Sequence, residues 1–207
     1  MILMKLKEIN WFALVGAVLL LALVPISLYF SWWRLIIGEN LFAVNTSPVN
    51  TNFSLMGAPL TSPLVWAINV IGMLTLTASG IILLIYSVFP AKSFSMDLLS
   101  FGYRKPLYMV ITYVVGLVVS TVLVQTFSGI SVPVSGTSNV VLPSNLTMGA
   151  NISVVVFSAF QWPFWLAIVA AGICIAARFY HRRVSFEAVN KAKTSDSPVI
   201  APSCIQC

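Results

Sequence analysis

Charge is the scarcest property of this chain. Only 8% of its 207 residues are Asp, Glu, Lys or Arg, against roughly 25% in a soluble domain. That deficit rules out an ordinary water-exposed surface. With 59% hydrophobic residues and a mean hydropathy of +0.98, it predicts an integral membrane protein. Acids number five and histidine one. No nucleophile–base–acid set or metal-ligand cluster can be assembled from them, so neither catalysis nor a cofactor is expected. The single histidine, His181, excludes a bis-histidine haem within this chain. The three cysteines, Cys174, Cys204 and Cys207, all lie in or after the last apolar run, so no disulfide is expected in the connecting loops.

Where charge is missing, long apolar runs stand instead. Trp11 to Phe30 is uncharged for 20 residues and Ser153 to Ala177 for 25, with two similar runs between them. A helix needs about 20 such residues to cross a bilayer core of ~30 Å. The spans are placed at 11–33, 64–89, 107–127 and 153–177, leaving termini 1–10 and 178–207, an inner loop 90–106 and outer loops 34–63 and 128–152. Lysines ahead of the first run also fit a signal peptide. The length of the run and its continuation into Ser31-Trp32-Trp33-Arg34, without a small-residue cleavage site, favour an uncleaved span. Trp32 and Trp33 suit a headgroup belt, and Pro25 is expected to bend the helix.

Basic residues set the orientation. Lys5, Lys7, Lys92, Arg104, Lys105, Arg178, Arg182, Arg183, Lys191 and Lys193 fall on one side, and only Arg34 on the other. This is the positive-inside bias, which places both termini in the cytoplasm of a multi-pass cell-membrane protein. It also accounts for the net charge of +6 without a nucleic-acid partner. The expected fold class is therefore an all-α membrane protein: a four-transmembrane-helix bundle with two outer loops. In the second loop Val132, Val134, Val140, Val141 and Leu142 can pair as short strands around Gly136 and Pro143. Phe94, Leu98, Leu99 and Phe101 allow either a short interfacial helix or a plain turn. No internal repeat is evident, which leaves an inverted-repeat transporter without support.

Four Asn-x-Ser/Thr sequons mark candidate glycosylation sites at Asn45, Asn52, Asn145 and Asn151, two in each outer loop and none inside. The spans carry small-residue stripes. Gly72, Thr75 and Ser79 share one helix face, and Ala13/Ala17, Gly116/Ser120 and Ala167/Ala171 are small-xxx-small pairs suited to close helix packing. Amides at Asn69, Gln125 and Gln161 need partners at membrane depth, and the last two are expected to join one polar cluster. A small-ligand pocket lined by Trp162, Phe164 and Trp165 is the alternative use of that region. The terminal Cys204-Ile205-Gln206-Cys207 offers free thiols on a tail or lipidation at Cys204 and Cys207.

The four spans, internal termini and two outer loops resemble the layout of tetraspanins and claudin-like proteins. Trp32-Trp33 can occupy the tryptophan position of the claudin first loop. The paired cysteines of that loop, and the Cys-Cys-Gly motif of the tetraspanin second loop, are absent. The outer loops combine apolar residues expected to be exposed (Phe42, Val44, Phe53, Leu55, Val140, Val141 and Leu142) with almost no charge. That composition points to a non-enzymatic membrane glycoprotein acting as an organiser or protein-interaction scaffold through those loops. Its expected partners are membrane lipid, a second copy or other membrane and surface proteins. An accessory subunit of a respiratory or transport complex is the alternative.

Overall fold

A computed structural model describes residues 10–38, 41–88, 95–128, 131–141 and 153–195. The elements follow as α1 (Trp11–Tyr29), β1 (Trp33–Ile37), β2 (Phe42–Thr46), β3 (Thr51–Leu55), β4 (Ala58–Leu60), α2 (Pro63–Val88), α3 (Ser95–Ser128), β5 (Gly136–Val141), β6 (Ser153–Phe160) and α4 (Trp162–Ser195). Each helix contains a stretch long and apolar enough to cross a membrane: Trp11–Tyr29, Pro63–Val88, Leu98–Phe127 and Trp162–Tyr180. A helix satisfies its own backbone groups within one segment, the condition that hydrocarbon would impose on such runs. α1 packs on α2 and α4, and α3 closes the ring against the same two neighbours. The buried seam includes Ala13, Ala17, Leu20, Leu76, Leu83, Ala170 and Cys174.

The all-α expectation is overturned. Six strands form one antiparallel sheet in the order β4-β3-β2-β1-β6-β5, so the fold is mixed α/β. Strands from the first connecting loop and from the segment before α4 meet through β1 and β6, with Trp33 opposite Phe160 and Ile37 opposite Val156. Two stretches assigned to spans belong to this sheet. The first helix stops at Tyr29, Phe30 turns extended (φ −118°, ψ 129°), and Trp33 opens β1. Residues 153–160 form β6, and α4 begins only at Trp162. Hydropathy cannot separate a buried strand from a helix in a continuous apolar run. The β-branched and aromatic content of Ser-Val-Val-Val-Phe-Ser-Ala-Phe favours the pleat. Pro163 then sits in the first turn of α4, where its missing N–H costs nothing.

Two further differences concern the opposite end. Residues 95–106 are helical, but as the first turns of α3 rather than a separate element, and Pro106 lies inside that helix. The backbone of α4 continues to Ser195, well past Ala177, where the last span was placed to end.

Alternation divides the sheet into two faces. Trp33, Leu35, Val44, Val132, Val140 and Val156 are buried together with Leu117 of α3. The other face presents Arg34 of β1, paired with Asn45 of β2, which in turn pairs with Asn52 of β3. The β3–β4 hairpin turns on Met56 (φ 51°) and Gly57 (φ 82°), the two positive φ values that a tight two-residue hairpin of type I′ requires. Met56 pays that strain while its side chain stays 77% exposed.

Candidate functional site where sheet meets helices

The turn between β2 and β3 seats the sheet on the bundle. The last carbonyls of any helix lack intrahelical partners. In α1 they are met by this turn: the Ser47 hydroxyl donates to the Ser27 carbonyl (2.8 Å), and Asn50 Nδ2 donates to the Leu28 carbonyl (2.8 Å). Ser47 also accepts the Asn50 N–H at 2.9 Å, which folds the turn back on itself. Val49 projects from the turn into the helical core beside Leu76. A Cβ at Gly72 of α2 would overlap the Pro48 carbonyl. Gly72 thus admits the sheet, while Ser79 of the same stripe is buried and donates to the Thr75 carbonyl.

Both tryptophans at the α1–β1 link are interior groups, not headgroup anchors. Trp32 is fully buried, donates from Nε1 to Ser27 Oγ (2.8 Å), and lies edge-on to Tyr113 of α3 (5.2 Å between centroids). Trp33 is buried and donates to the Val134 carbonyl (2.7 Å), which ties the two connecting loops together. Tyr113 reaches the Thr46 carbonyl at 3.0 Å, and the Ser158 hydroxyl reaches the Pro133 carbonyl at 2.6 Å. The carbonyls of Ser27, Leu28, Thr46, Pro133 and Val134 thus each accept a side-chain donor, as buried backbone groups require.

Beside this junction opens a groove of about 390 Å³. Arg34, Asn45 and Asn52 line it from the sheet, and Ser31 and Gln161 from the links to α1 and α4. Tyr29, Phe30 and Trp162 add aromatic rings, with Phe30 and Trp162 5.4 Å apart between centroids. Its polar groups are a guanidinium and neutral amides and hydroxyls, so it can hold an anion or hydrogen-bonding ligand but offers no nucleophile–base pair.

The residues singled out from sequence disperse across this frame. Asn45 and Asn52 face each other in the groove. Asn145 and Asn151 lie outside the described residues, as do Cys204 and Cys207. Ala167 and Ala171 are buried in the α4 seam. On α3, a Cβ at Gly116 would meet nothing within 4 Å, and Ser120 is exposed, donating only to the Gly116 carbonyl. Asn69 accepts from Thr51 Oγ1 (3.2 Å), so its amide is answered by the sheet. Gln161 lines the groove whereas Gln125 is exposed on α3, and no hydrogen bond joins them. Sequence reasoning missed the role of Ser47, Asn50 and Ser27. The available signal was a loop carrying one cation and four asparagines within 19 residues, from Arg34 to Asn52. Among the described residues no group of His, Cys, Asp and Glu could hold a metal ion. No family model matches the chain, and no curated protein matches it either.

Proposed function

We propose that this protein is a non-enzymatic, four-span membrane scaffold whose sheet faces the cell exterior and mediates contact with other proteins or a second copy. The ten-to-one division of Lys and Arg supports that orientation. The observation that carries the interaction role is the open edge of the sheet. All three residues of β4 are exposed, and Leu55, Met56 and Leu60 around it are 46%, 77% and 49% exposed. An unpaired edge is a template for another strand, and Pro59 blunts it only at one position. The tetraspanin and claudin resemblance enters this reading as a shared layout. Carbohydrate, in the same reading, is carried at Asn145 or Asn151 and not at both Asn45 and Asn52. Those two occupy directly opposed cross-strand positions, with Cβ atoms about 5 Å apart.

The test is cross-linking in intact cells with Leu60→Cys in a background carrying Cys204→Ser and Cys207→Ser. A discrete adduct is expected at Leu60→Cys and none at Gly116→Cys. Equal adducts at both sites, or none at either, would remove the scaffold reading. The second reading, an accessory subunit of a larger complex, draws on α3, in whose most apolar stretch only 6% of the residues are buried. Adducts confined to Gly116→Cys would favour it.

A further inference from the structure

We propose that the groove beside the junction binds a monoanionic phosphodiester group, with Arg34 as its charge partner. This inference is independent of the scaffold reading. Among the described residues Arg34 is exposed, makes no ion pair, and is the one cationic side chain at the sheet end. No described residue takes a hydrogen bond from the side chains of Asn45, Asn52 or Gln161, so their amides remain available to a ligand. Arg34, Asn45 and Asn52 stand in one cross-strand row. With strands about 4.8 Å apart, the three side chains span ~10 Å on one face. Asn50 is not counted, because its amide is spent on Leu28.

The chemistry of this set selects the ligand. A guanidinium fork matches the paired oxygens of a phosphate, and neutral amides add donors without adding charge. One positive charge balances one negative charge, which fits a diester better than a dianion. The rim extends the match. Tyr29, Phe30 and Trp162 are 84%, 53% and 51% exposed where the apolar stretches of α1 and α4 end. Aromatic rings at that depth suit the region between acyl chains and headgroups. The phosphodiester can therefore come from a phospholipid headgroup or from a soluble phosphate compound.

Native mass spectrometry of the full chain in mild detergent, with added phosphatidylglycerol or a diacylglycerol that lacks the phosphodiester, reads the bound species directly. Thermal-shift titration of the delipidated protein with inorganic phosphate tests the soluble source. Retention of phosphatidylglycerol over the diacylglycerol is expected, falling about tenfold in Arg34→Gln and recovering in part in Arg34→Lys. Asn52→Asp sets a carboxylate in the same row and is expected to abolish retention. A phosphate-dependent shift without phosphatidylglycerol retention assigns the soluble source, provided Arg34→Gln removes it. The proposal is overturned by neither ligand binding, by equal retention of the two lipids without a phosphate shift, by Arg34→Gln and Asn52→Asp both binding like the parent, or by a glycan mass on Asn45 or Asn52.

Discussion

The two ends of the helical bundle solve one problem in opposite ways. Each must satisfy helix-terminal backbone groups beside buried side chains, Asn10 at one end and Ser27 and Ser47 at the other. At the end away from the sheet, a single residue adjacent to the helix does it. Asn10 caps α1 by accepting the Ala13 N–H at 3.1 Å, while its own amide donates to Tyr86 Oη (3.2 Å) and the Ala177 carbonyl (3.3 Å). Its backbone N–H reaches the Ser87 carbonyl, so three helices converge on one side chain. At the sheet end the donors come from Ser47 and Asn50, some 20 residues beyond the helix they complete. One end is a local cap. The other makes the helix terminus depend on a folded sheet.

That contrast can be broken by substitution. The largest expected effect is at the sheet end: Trp32→Ala removes a fully buried indole and its bond to Ser27, and is expected to cost ~3–5 kcal/mol in unfolding free energy by denaturant titration in detergent. Gly72→Ala forces a methyl into the Pro48 carbonyl and is expected to cost ~1–3 kcal/mol in the same measurement. Asn10→Ala is next, at ~1–2 kcal/mol, through a lost cap and unpaired buried groups. Hydrogen exchange should then rise at Ala13–Ala17 and leave β2 and β3 protected, whereas Ser47→Ala should raise exchange in β2, β3 and the last turn of α1 together. Equal exchange patterns for the two variants would erase the distinction between the ends. Smallest is Gly116→Ala, expected within about 0.5 kcal/mol of the parent because a Cβ there meets open space.

The four apolar helices were legible because twenty or so uncharged residues admit few alternatives. Their limits were not. Trp32-Trp33 read as a continuation of the first helix, since hydropathy registers that a group avoids water and not whether protein or lipid excludes it. Residues 153–160 carried their β signal in three consecutive valines, outweighed by the longer run behind them. Asn69 was correctly marked as needing a partner, yet that partner, Thr51, is fixed by sheet register and not by local spacing. Gln125 and Gln161 failed to meet for the same reason: their elements are packed by contacts far apart in sequence. The groove was the least legible feature. It unites Tyr29, Arg34, Asn52 and Trp162 only after β1 has found β6.

The β1–β6 pairing also orders the birth of the protein. From Ile37 to its partner Val156 the chain runs through 119 further residues (156 minus 37), including two complete apolar helices. During synthesis one flank of β1 therefore waits for its partner strand until β6 has emerged. The final helix follows directly on the strand that ends this wait, so closing the sheet and seating α4 become one late event. A chain cut short before Ser153 would be left with β1 as a raw margin of the sheet.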